Sequence, residues 1–355
     1  MAGGGAERQL TYLAGALGRL GWRVHVTLAG RGPNWTRLEE SGAIIHELPS
    51  SGSYDARTLQ RLRRIIAEVR PDLIQVWLLQ MEVVGGLAAI TTGTPWVFSE
   101  RASAEAYGWT LKTAARTSVA QLASAIISNS AAGAEYWQGR IVTRVPRFNI
   151  PNAIPVDEIA SAAPATDSEA GIEPGVPLVL FAGRLEPQKN LPVLLEALKR
   201  VLQHRSIHAV CCGTGRMQAW IEQWIAREVP GGQIEVRGYT PRLWNLMKRA
   251  SVVVLPSRFE GSPGVVLEAM ACSVPLVVSD IPEHRELVDQ CSALLVDVES
   301  SEAFAAAIEE VLDAPEATAA RAAAAKQRIE RHAPASVARQ YDDVYRSLLA
   351  PEAAS

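Results

Sequence analysis

Residues 252–268 read VVVLPSRFEGSPGVVLE, and three kinds of local structure follow one another along them. The apolar run Val252–Pro256 predicts a buried strand, the loop Ser257–Ser262 follows, and a helix is predicted to begin at Pro263. Ser262 suits the N-cap, and Pro263 suits the first helical position, where a missing N–H does no harm. Strand, loop and helix in this order form the repeating unit of a parallel α/β sheet.

The C-terminal half repeats this unit. Its other predicted strands are short apolar runs, at Leu178–Ala182, Ala209–Gly213, Ile234–Gly238, Leu276–Ser279 and Ala293–Val298. Helices with apolar residues at three-to-four spacing separate them, for example Leu191–Leu202, Met217–Glu228 and Ser301–Leu312. Strands that alternate with helices predict a parallel sheet covered on both faces.

The N-terminal half follows the same scheme less regularly. Its predicted strands lie at Val24–Ala29, Ala43–Leu48, Leu73–Trp77, Trp96–Ser99 and Ala125–Asn129, with a helix at Thr58–Val69. Pro151 and Pro155 interrupt the pattern and predict a hinge. We therefore predict an α/β protein of two doubly wound, Rossmann-like domains facing a cleft: residues 1–153, residues 154–333, and a C-terminal helix at 334–355 that crosses back to the first domain.

The first strand of the N-terminal domain is missing from this pattern. A doubly wound domain normally opens with a buried apolar strand, a Gly-rich turn and a helix. The turn Gly3–Gly5 and the amphipathic helix Glu7–Leu20 are present, but no apolar run precedes them. An empty central position would leave backbone groups of both neighbouring strands unpaired, at a cost in free energy. We therefore expect that the chain starts further upstream or is a fragment.

Composition narrows the class of protein. A formal net charge of −3 over 355 residues gives no global basic field, so we expect no nucleic-acid partner. Met1–Gly5 lacks the segments of a signal peptide, and no apolar stretch is long enough to span a bilayer. The cysteines form no C-x-x-C pair and the histidines no metal-spaced pair, so we expect structural thiols, no metal site and a cytoplasmic location. His284 is interpreted as a surface helix cap.

Two glutamates flank the start of the helix predicted at Pro263. Gly264 and Val265 offer backbone N–H groups at the positive end of its dipole, and such an end binds phosphate. Glu260 and Glu268 would repel a phosphate but suit vicinal sugar hydroxyls, from which a carboxylate accepts two hydrogen bonds. The segment therefore predicts a site for a phosphorylated sugar compound, against the plainer interpretation of an acidic loop and a solvated helix face.

A second set of candidates follows the first two strands of the C-terminal half. Gly183 ends a strand at the edge where parallel sheets bind ligands. Arg184 and Lys189 follow across a short loop, so both can face one crevice and neutralise a diphosphate. Gly213 and Gly215, after the next strand, permit close backbone approach.

In their order these motifs resemble the GT-B-fold retaining glycosyltransferases of family 4, the glycosyl transferases group 1. The resemblance covers most of the chain, and its most specific parts are Gly183-Arg184-Leu185 with Lys189, Gly213-x-Gly215 and the E-x7-E run from Glu260 to Glu268. It implies an acceptor-side N-terminal domain and a nucleotide-sugar-binding C-terminal domain. The implied donor is a nucleoside diphosphate sugar, taken to be a UDP-sugar, with no tightly bound cofactor. The implied acceptor is a saccharide or a lipid-linked molecule, in surface polysaccharide or glycolipid synthesis.

The resemblance also implies roles for individual residues. Arg184 and Lys189 would hold the donor diphosphate and stabilise the leaving group. Glu260 would hold the transferred sugar, and Glu268 the ribose hydroxyls. The other implied donor-side positions are Gly4, Gly5, Gly183, Gly213, Gly215, Tyr239, Ser262, Gly264 and Val265. The acceptor hydroxyl would attack from the face of the leaving group, and the departing phosphate would take its proton.

Two positions in the N-terminal domain are acceptor-side candidates. Many relatives carry a histidine after the Pro-Asp strand, and this chain has Gln80 there, which donates a hydrogen bond but carries no charge. Arg101 follows a strand at the predicted cleft and is a candidate for a charged group of the acceptor or donor, or else a surface arginine.

Further interpretations stay open at the level of sequence. One is an epimerase of related fold that acts on a UDP-N-acetylhexosamine, and another is a non-catalytic partner subunit that binds sugar nucleotides. Exposed apolar and basic residues of one N-terminal helix also suggest peripheral contact with a membrane surface. These residues are Trp109, Leu111, Lys112 and Arg116.

Overall fold

A computed structural model describes residues 5–48, 56–101 and 110–350, without the side chains of Ala56 and Gln80. The chain divides into two units, Met1–Ile154 with Arg331–Ser355, and Pro155–Glu330. The N-terminal unit has the strands β1 (His25–Leu28), β2 (Ile44–Glu47), β3 (Ile74–Val76), β4 (Trp96–Glu100), β5 (Ala125–Ser128) and β6 (Arg147–Asn149). Its helices are α1 (Gly5–Arg19), α2 (Trp35–Glu40), α3 (Ala56–Val69), α4 (Leu79–Thr92), α5 (Leu111–Ala120) and α6 (Ala131–Gln138).

The strands of the N-terminal unit form two separate parallel sheets. β1 pairs with β2 alone, and the other sheet has the order β3-β4-β5-β6. Five of these strands lie within a residue or two of their predicted bounds, because each is a short run of mainly apolar residues between helices. Among the described residues no strand precedes α1, and β1 and β3 do not pair.

The C-terminal unit begins with the short helices α7 (Val156–Ser161) and α8 (Asp167–Ala170). Its strands are β7 (Leu178–Ala182), β8 (His208–Cys212), β9 (Ile234–Arg237), β10 (Val252–Leu255), β11 (Leu276–Ser279) and β12 (Leu294–Val296). Its other helices are α9 (Leu191–Leu202), α10 (Gln218–Glu228), α11 (Leu243–Arg249), α12 (Gly264–Cys272), α13 (Pro282–Arg285), α14 (Ser301–Asp313) and α15 (Pro315–Gln327).

The sheet of the C-terminal unit is doubly wound. All six strands are parallel in the order β12-β11-β10-β7-β8-β9. The chain starts at the central β7, proceeds outward through β8 and β9, then returns to β10 on the other side of β7. The two directions of winding therefore separate between β7 and β10, which is where open α/β sheets bind their ligands.

The last helix, α16 (Pro334–Leu349), belongs to the N-terminal unit. It packs along α1, and the two helices share one hydrophobic core with β4 and β5. The amphipathic pattern of α16 accounts for this, because its apolar side chains fall on one face. Those side chains are Val337, Ala338, Tyr341, Val344 and Tyr345.

The burial of Arg116 corrects one part of the membrane-contact prediction, which had placed this residue on the surface. Its guanidinium is fully buried and donates 2.5 Å hydrogen bonds to Glu82 and to Glu100. Leu111 and Lys112 are exposed on the same helix, whereas Trp109 lies outside the described residues. Arg116 has the helical spacing of a surface basic residue, but two carboxylates from α4 and β4 compensate its burial. Among the helices that the structure describes, none is long and apolar enough to cross a bilayer.

Candidate functional site

The candidate residues of the C-terminal unit gather where the loops after β7 and β10 leave the sheet. The N–H of Arg258, after β10, donates to the carbonyl of Gln188, after β7, at 2.8 Å. This bond joins the two loops on either side of the point where the winding reverses. The arrangement places side chains of both loops at the carboxyl edge of the sheet.

Glycines hold the loops after β7 and β8 against each other. A β-carbon on Gly213 would lie 1.8 Å from the carbonyl oxygen of Gly183, and one on Gly215 would lie 2.4 Å from that of Leu185. The Leu185 N–H donates to the Thr214 carbonyl at 2.9 Å. The close backbone approach predicted for Gly213 and Gly215 therefore takes place between two loops of the protein itself.

Lys189 and Glu260 form an ion pair across these loops. The Glu260 Oε1 atom accepts hydrogen bonds from Lys189 Nζ and, at 2.6 Å, from Ser257 Oγ. The two charged side chains are only 11% and 9% exposed. Such a buried pair is stable only when each charge has its partner, so each residue fixes the position of the other.

His284 lies beneath this pair and is not a surface cap. Its side chain is fully buried, and its Nδ1 atom lies 2.8 Å from the carbonyl oxygen of Ser279. A carbonyl only accepts, so Nδ1 carries the hydrogen and Nε2 presents a lone pair. Ser279 Oγ donates to the Ser257 carbonyl at 2.5 Å. Burial lowers the pKa of His284, which favours the neutral ring. Ser279 connects this ring to Ser257, in the loop that carries Glu260.

His284 was missed because its signal in the sequence is ambiguous. It follows Pro282 at the first turn of α13, a position that is usually exposed. Ser279, a residue of β11 five positions earlier, makes the hydrogen-bond contacts of the buried His284 ring. Only a polar residue ending β11 hinted at this network.

The start of α12 differs from the sequence prediction. The helix begins at Gly264, Pro263 occupies the N-cap position, and no side chain caps it, so the N-cap predicted at Ser262 is wrong. The Gly264 N–H is not free either, because it donates to the Ser262 carbonyl at 2.9 Å. The Val265 N–H has no hydrogen-bond partner among the described residues. The helix end therefore offers fewer donors than the sequence suggested.

The remaining donor-side candidates differ in exposure. Glu268 is buried in α12, Arg184 is exposed at the end of β7, and Tyr239 is 83% exposed after β9. In the part of the chain that the structure describes, the Arg184 side chain makes no hydrogen bond or ion pair. Its guanidinium is therefore available to an anionic ligand.

The N-terminal candidates are placed as follows. Gly5 is the first residue of α1, and Gly4 lies outside the described residues. Gln80 lies in the first turn of α4, with its side chain outside the description. The Arg101 guanidinium donates to Asn152 Oδ1 at 2.9 Å and to the Tyr341 hydroxyl at 2.6 Å. Arg101 thus helps to hold α16 on the N-terminal unit.

A larger groove of the C-terminal unit, of about 1000 Å³, lies away from these residues. Its lining includes Pro177, Ser251 and Pro275, which directly precede β7, β10 and β11. These residues mark the amino edge of the sheet, whereas parallel sheets bind ligands at the carboxyl edge. The candidate site therefore stays at the loops that carry Lys189 and Glu260.

Comparisons with known proteins identify the family and the fold of the chain. The family model "Glycosyl transferases group 1" matches residues 164–328, and the model "Glycosyltransferase Family 4" matches residues 3–158. The crystal structure of Anabaena HepE in complex with UDP and glucose is similar, with a TM-score of 0.85 and 21% identity. That similarity covers 97% of this chain and 96% of HepE. It confirms the predicted fold class, with two Rossmann-like α/β domains of the GT-B type.

Curated relatives match over shorter segments. An uncharacterised glycosyltransferase of Methanocaldococcus jannaschii is 32% identical over 120 residues, which are 33% of this chain and 31% of that protein. The Escherichia coli UDP-Gal:alpha-D-GlcNAc-diphosphoundecaprenol alpha-1,3-galactosyltransferase is 27% identical over 172 residues, covering 46% of this chain and 44% of that protein. The matched segments thus span less than half of either relative.

Proposed function

This chain belongs to the group 1 glycosyltransferases of family 4, and we propose that it transfers a sugar from a nucleoside diphosphate sugar to an acceptor hydroxyl. We propose UDP as the nucleotide, since HepE was solved with UDP and the E. coli relative is named for UDP-Gal. A lipid-linked or saccharide acceptor, and a role in surface polysaccharide or glycolipid synthesis, belong to the same proposal. They rest on the acceptor in the E. coli relative's name.

One observation carries the proposal: Lys189 and Glu260 meet at the point where the winding of the sheet reverses. Both recorded contacts of the Glu260 carboxylate fall on Oε1. Among the described residues Oε2 has no partner, so it can accept a hydrogen bond from a hydroxyl of the transferred sugar. Lys189 then holds the carboxylate in place and contributes positive charge near the donor.

In the proposed reaction the protein lowers the barrier by stabilising the negative charge that develops on the leaving group. The bond from the anomeric carbon to the diphosphate oxygen breaks, and negative charge develops on the diphosphate. Arg184, exposed and without a protein partner among the described residues, stabilises this charge together with Lys189 and the Val265 N–H. The acceptor oxygen bonds to the anomeric carbon from the same face, with retention, and its proton passes to the departing phosphate. Glu268 accepts hydrogen bonds from the ribose hydroxyls.

Calorimetric titration with UDP, GDP, ADP and CMP tests the donor site. We expect saturable binding of UDP, weakened at least about tenfold in Arg184→Ala and in Glu268→Gln. Arg205→Ala is the matched control, because Arg205 lies before β8 at the opposite edge of the sheet and pairs with Asp313. Equal affinity of all three variants for UDP, or no nucleotide binding by the folded wild type, would contradict the proposal.

Turnover assays separate the alternative activities. A transferase releases UDP from a UDP-sugar in proportion to added acceptor. An epimerase instead changes a UDP-N-acetylhexosamine without any acceptor, and a non-catalytic subunit binds the donor without turnover. Either of these results would replace transfer as the function, even if UDP binding is found.

Contact with a membrane surface is proposed on a narrower basis than the sequence suggested. It rests on Leu111, which is 84% exposed, and on the neighbouring Lys112. We expect co-sedimentation with anionic vesicles at low salt that falls in Leu111→Ser. Co-sedimentation that is unchanged in Leu111→Ser, or absent at low salt, would refute this contact.

A further inference from the structure

The two oxygen atoms of the Glu260 carboxylate have different surroundings. Oε1 accepts a hydrogen bond from Ser257 Oγ at 2.6 Å and another from Lys189 Nζ. Among the described residues Oε2 has no hydrogen-bond partner. A carboxylate turns easily about the last bond of its side chain, because that torsion has a broad energy minimum. The Ser257 hydroxyl and the Lys189 ammonium group therefore decide which oxygen stays available to a ligand.

Ser257 is held in place from the neighbouring strand β11. The N–H of Val253, in β10, donates to the Pro275 carbonyl on the side of β11. Backbone groups alternate sides along a strand, so the Ser257 carbonyl points to the same side. The backbone pairing of the two strands ends before Ser257. There Ser279 Oγ donates to the Ser257 carbonyl at 2.5 Å, so a side chain continues the pairing.

His284 determines where the Ser279 hydroxyl donates its hydrogen bond. The Nδ1 atom of His284 lies 2.8 Å from the Ser279 carbonyl oxygen and 3.3 Å from Ser279 Oγ. Because a carbonyl oxygen only accepts, Nδ1 carries a hydrogen and accepts no hydrogen bond itself. The Ser279 hydroxyl therefore cannot donate to the ring, and the Ser257 carbonyl is left as its acceptor. The other tautomer of His284 would offer Ser279 a second acceptor and would release Ser257.

Burial protects these contacts from competition with water. Ser257, Ser279 and His284 are fully buried, and Glu260 is 7% exposed. His284 Nε2 is also buried and has no hydrogen-bond partner in the part of the chain that the structure describes. Within that part the hydrogen bonds of the ring are those to Ser279. In a dry site each hydrogen bond is stronger than at the surface, so the orientation of one group fixes that of the next.

We propose that His284 is a positioning residue for recognition of the donor sugar. Acting through Ser279 and Ser257, it holds the Glu260 carboxylate with Oε1 turned to the protein and Oε2 available to a hydroxyl of the transferred sugar. His284 does not touch the substrate, because its side chain is fully buried. This inference rests on the proposed function and deepens it, since it assigns part of the affinity for the sugar to residues beyond the reach of the sugar.

A purely structural role of His284 leads to a different expectation. The ring also anchors the first turn of α13 to the end of β11. Loss of this anchor alone would loosen the carboxyl edge of the sheet and weaken the binding of UDP and of a UDP-sugar equally. A role through Glu260 weakens only the ligand that carries the sugar, because Glu260 is assigned to the sugar and not to the nucleotide.

Calorimetric titration of the full chain with UDP, UDP-glucose and UDP-galactose separates the two roles. His284→Leu removes the Nδ1 donor at similar volume. We expect its affinity for the UDP-sugar that the wild type binds to fall about tenfold, which corresponds to one hydrogen bond to a charged group. Its affinity for UDP should stay within about twofold of the wild type. His284→Asn should restore most of the affinity for the UDP-sugar, because its amide nitrogen donates from the position of Nδ1.

Variants of three serines complete the experiment. Ser279→Ala should lower the affinity for the UDP-sugar as His284→Leu does. Ser257→Ala cuts the connection to Glu260, so His284→Leu added to it should cause no further loss. Ser292→Ala is the matched control, because this buried serine bonds to Asp289 at the opposite edge of the sheet and should leave both affinities unchanged.

Each other outcome overturns the proposal. Equal losses for UDP and the UDP-sugar in His284→Leu, or a further loss in the Ser257→Ala background, would show a structural role. Unchanged affinities in His284→Leu would show no role in binding. If His284→Leu is unfolded by circular dichroism, Ser279→Ala decides by the same criteria. A wild type that binds UDP but neither UDP-sugar would refute the role of His284 alone, whereas a folded wild type that binds no nucleotide would refute the proposed function as well.

Discussion

A β-carbon on Gly213 would lie 1.8 Å from the carbonyl oxygen of Gly183. The two glycines directly follow the neighbouring strands β8 and β7, and the Gly183 N–H also donates to the Cys212 carbonyl at 3.0 Å. Backbone therefore fills the space that any other residue at position 213 needs. The contact sets how the loop bearing Arg184 and Lys189 leaves the sheet.

Gly213→Ala should lower the free energy of unfolding of the C-terminal unit by about 2 kcal/mol or more, because rigid backbone must move to admit a methyl group. Gly238→Ala is the control, since its β-carbon would meet the Thr214 Cγ2 atom at an ordinary 3.8 Å. Urea denaturation followed by tryptophan fluorescence measures both. Equal losses in the two variants would mean that the Gly183 contact is not the cause.

The Lys189–Glu260 pair should show strong coupling. Lys189→Met leaves a buried carboxylate without its cation, and we expect a loss of about 1–3 kcal/mol in the free energy of unfolding. Adding Glu260→Gln to Lys189→Met should recover most of that loss, because the uncompensated charge is removed. UDP-sugar turnover should stay low in both variants. Additive effects on stability would contradict the coupling.

The buried Arg116 should be essential to the N-terminal unit. Arg116→Met leaves Glu82 and Glu100 in a buried site without a cation, at an expected cost of about 3–5 kcal/mol. Arg116→Lys should recover only part of this, because an ammonium does not reach both carboxylates as a guanidinium does. Lys112→Met, on the exposed face of the same helix, should change the free energy of unfolding by less than about 0.5 kcal/mol. Thermal unfolding compares the three, and a stable Arg116→Met protein would refute the structural role.

Protonation of His332 should destabilise the protein in acid. Its Nδ1 atom lies 3.1 Å from the Asn152 carbonyl oxygen, and its Nε2 accepts from Arg331 Nε at 3.1 Å. Burial, the main cause, lowers the pKa of His332 from 6.5 to about 4. The unfolded chain therefore binds a proton that the folded one does not, and stability is lost as the pH falls from 6.5 toward 4.

His332→Gln should reduce that loss by about 1–3 kcal/mol between these pH values, measured as the difference between the two urea midpoint curves. At pH 8 the two proteins should differ by a constant amount, since neither side chain is charged there. Parallel curves from pH 8 to pH 4 would show that His332 does not titrate in this window.

Local pattern predicted the secondary structure and the family. The apolar runs of β7 and β11 had been placed at their observed bounds, because buried parallel strands have continuous apolar sequences. The resemblance to family 4 glycosyltransferases is confirmed by the two family models. Cap positions were less predictable. Ser262 is not the N-cap of α12, because Pro263 occupies that position and its side chain makes no capping hydrogen bond.

Contacts between distant residues were decided by the tertiary structure alone. Lys189 and Glu260 are 71 positions apart, and they meet because β7 and β10 are neighbours in the sheet. Arg116 and His284 looked like surface residues, since periodicity reports which positions are apolar but not which polar ones find a buried partner. By itself the sequence determined where strands and helices alternate and which glycines end the strands. The order of the strands, which is a long-range property, decided which charges pair, because it brings loops that are distant in the sequence to one edge of the sheet.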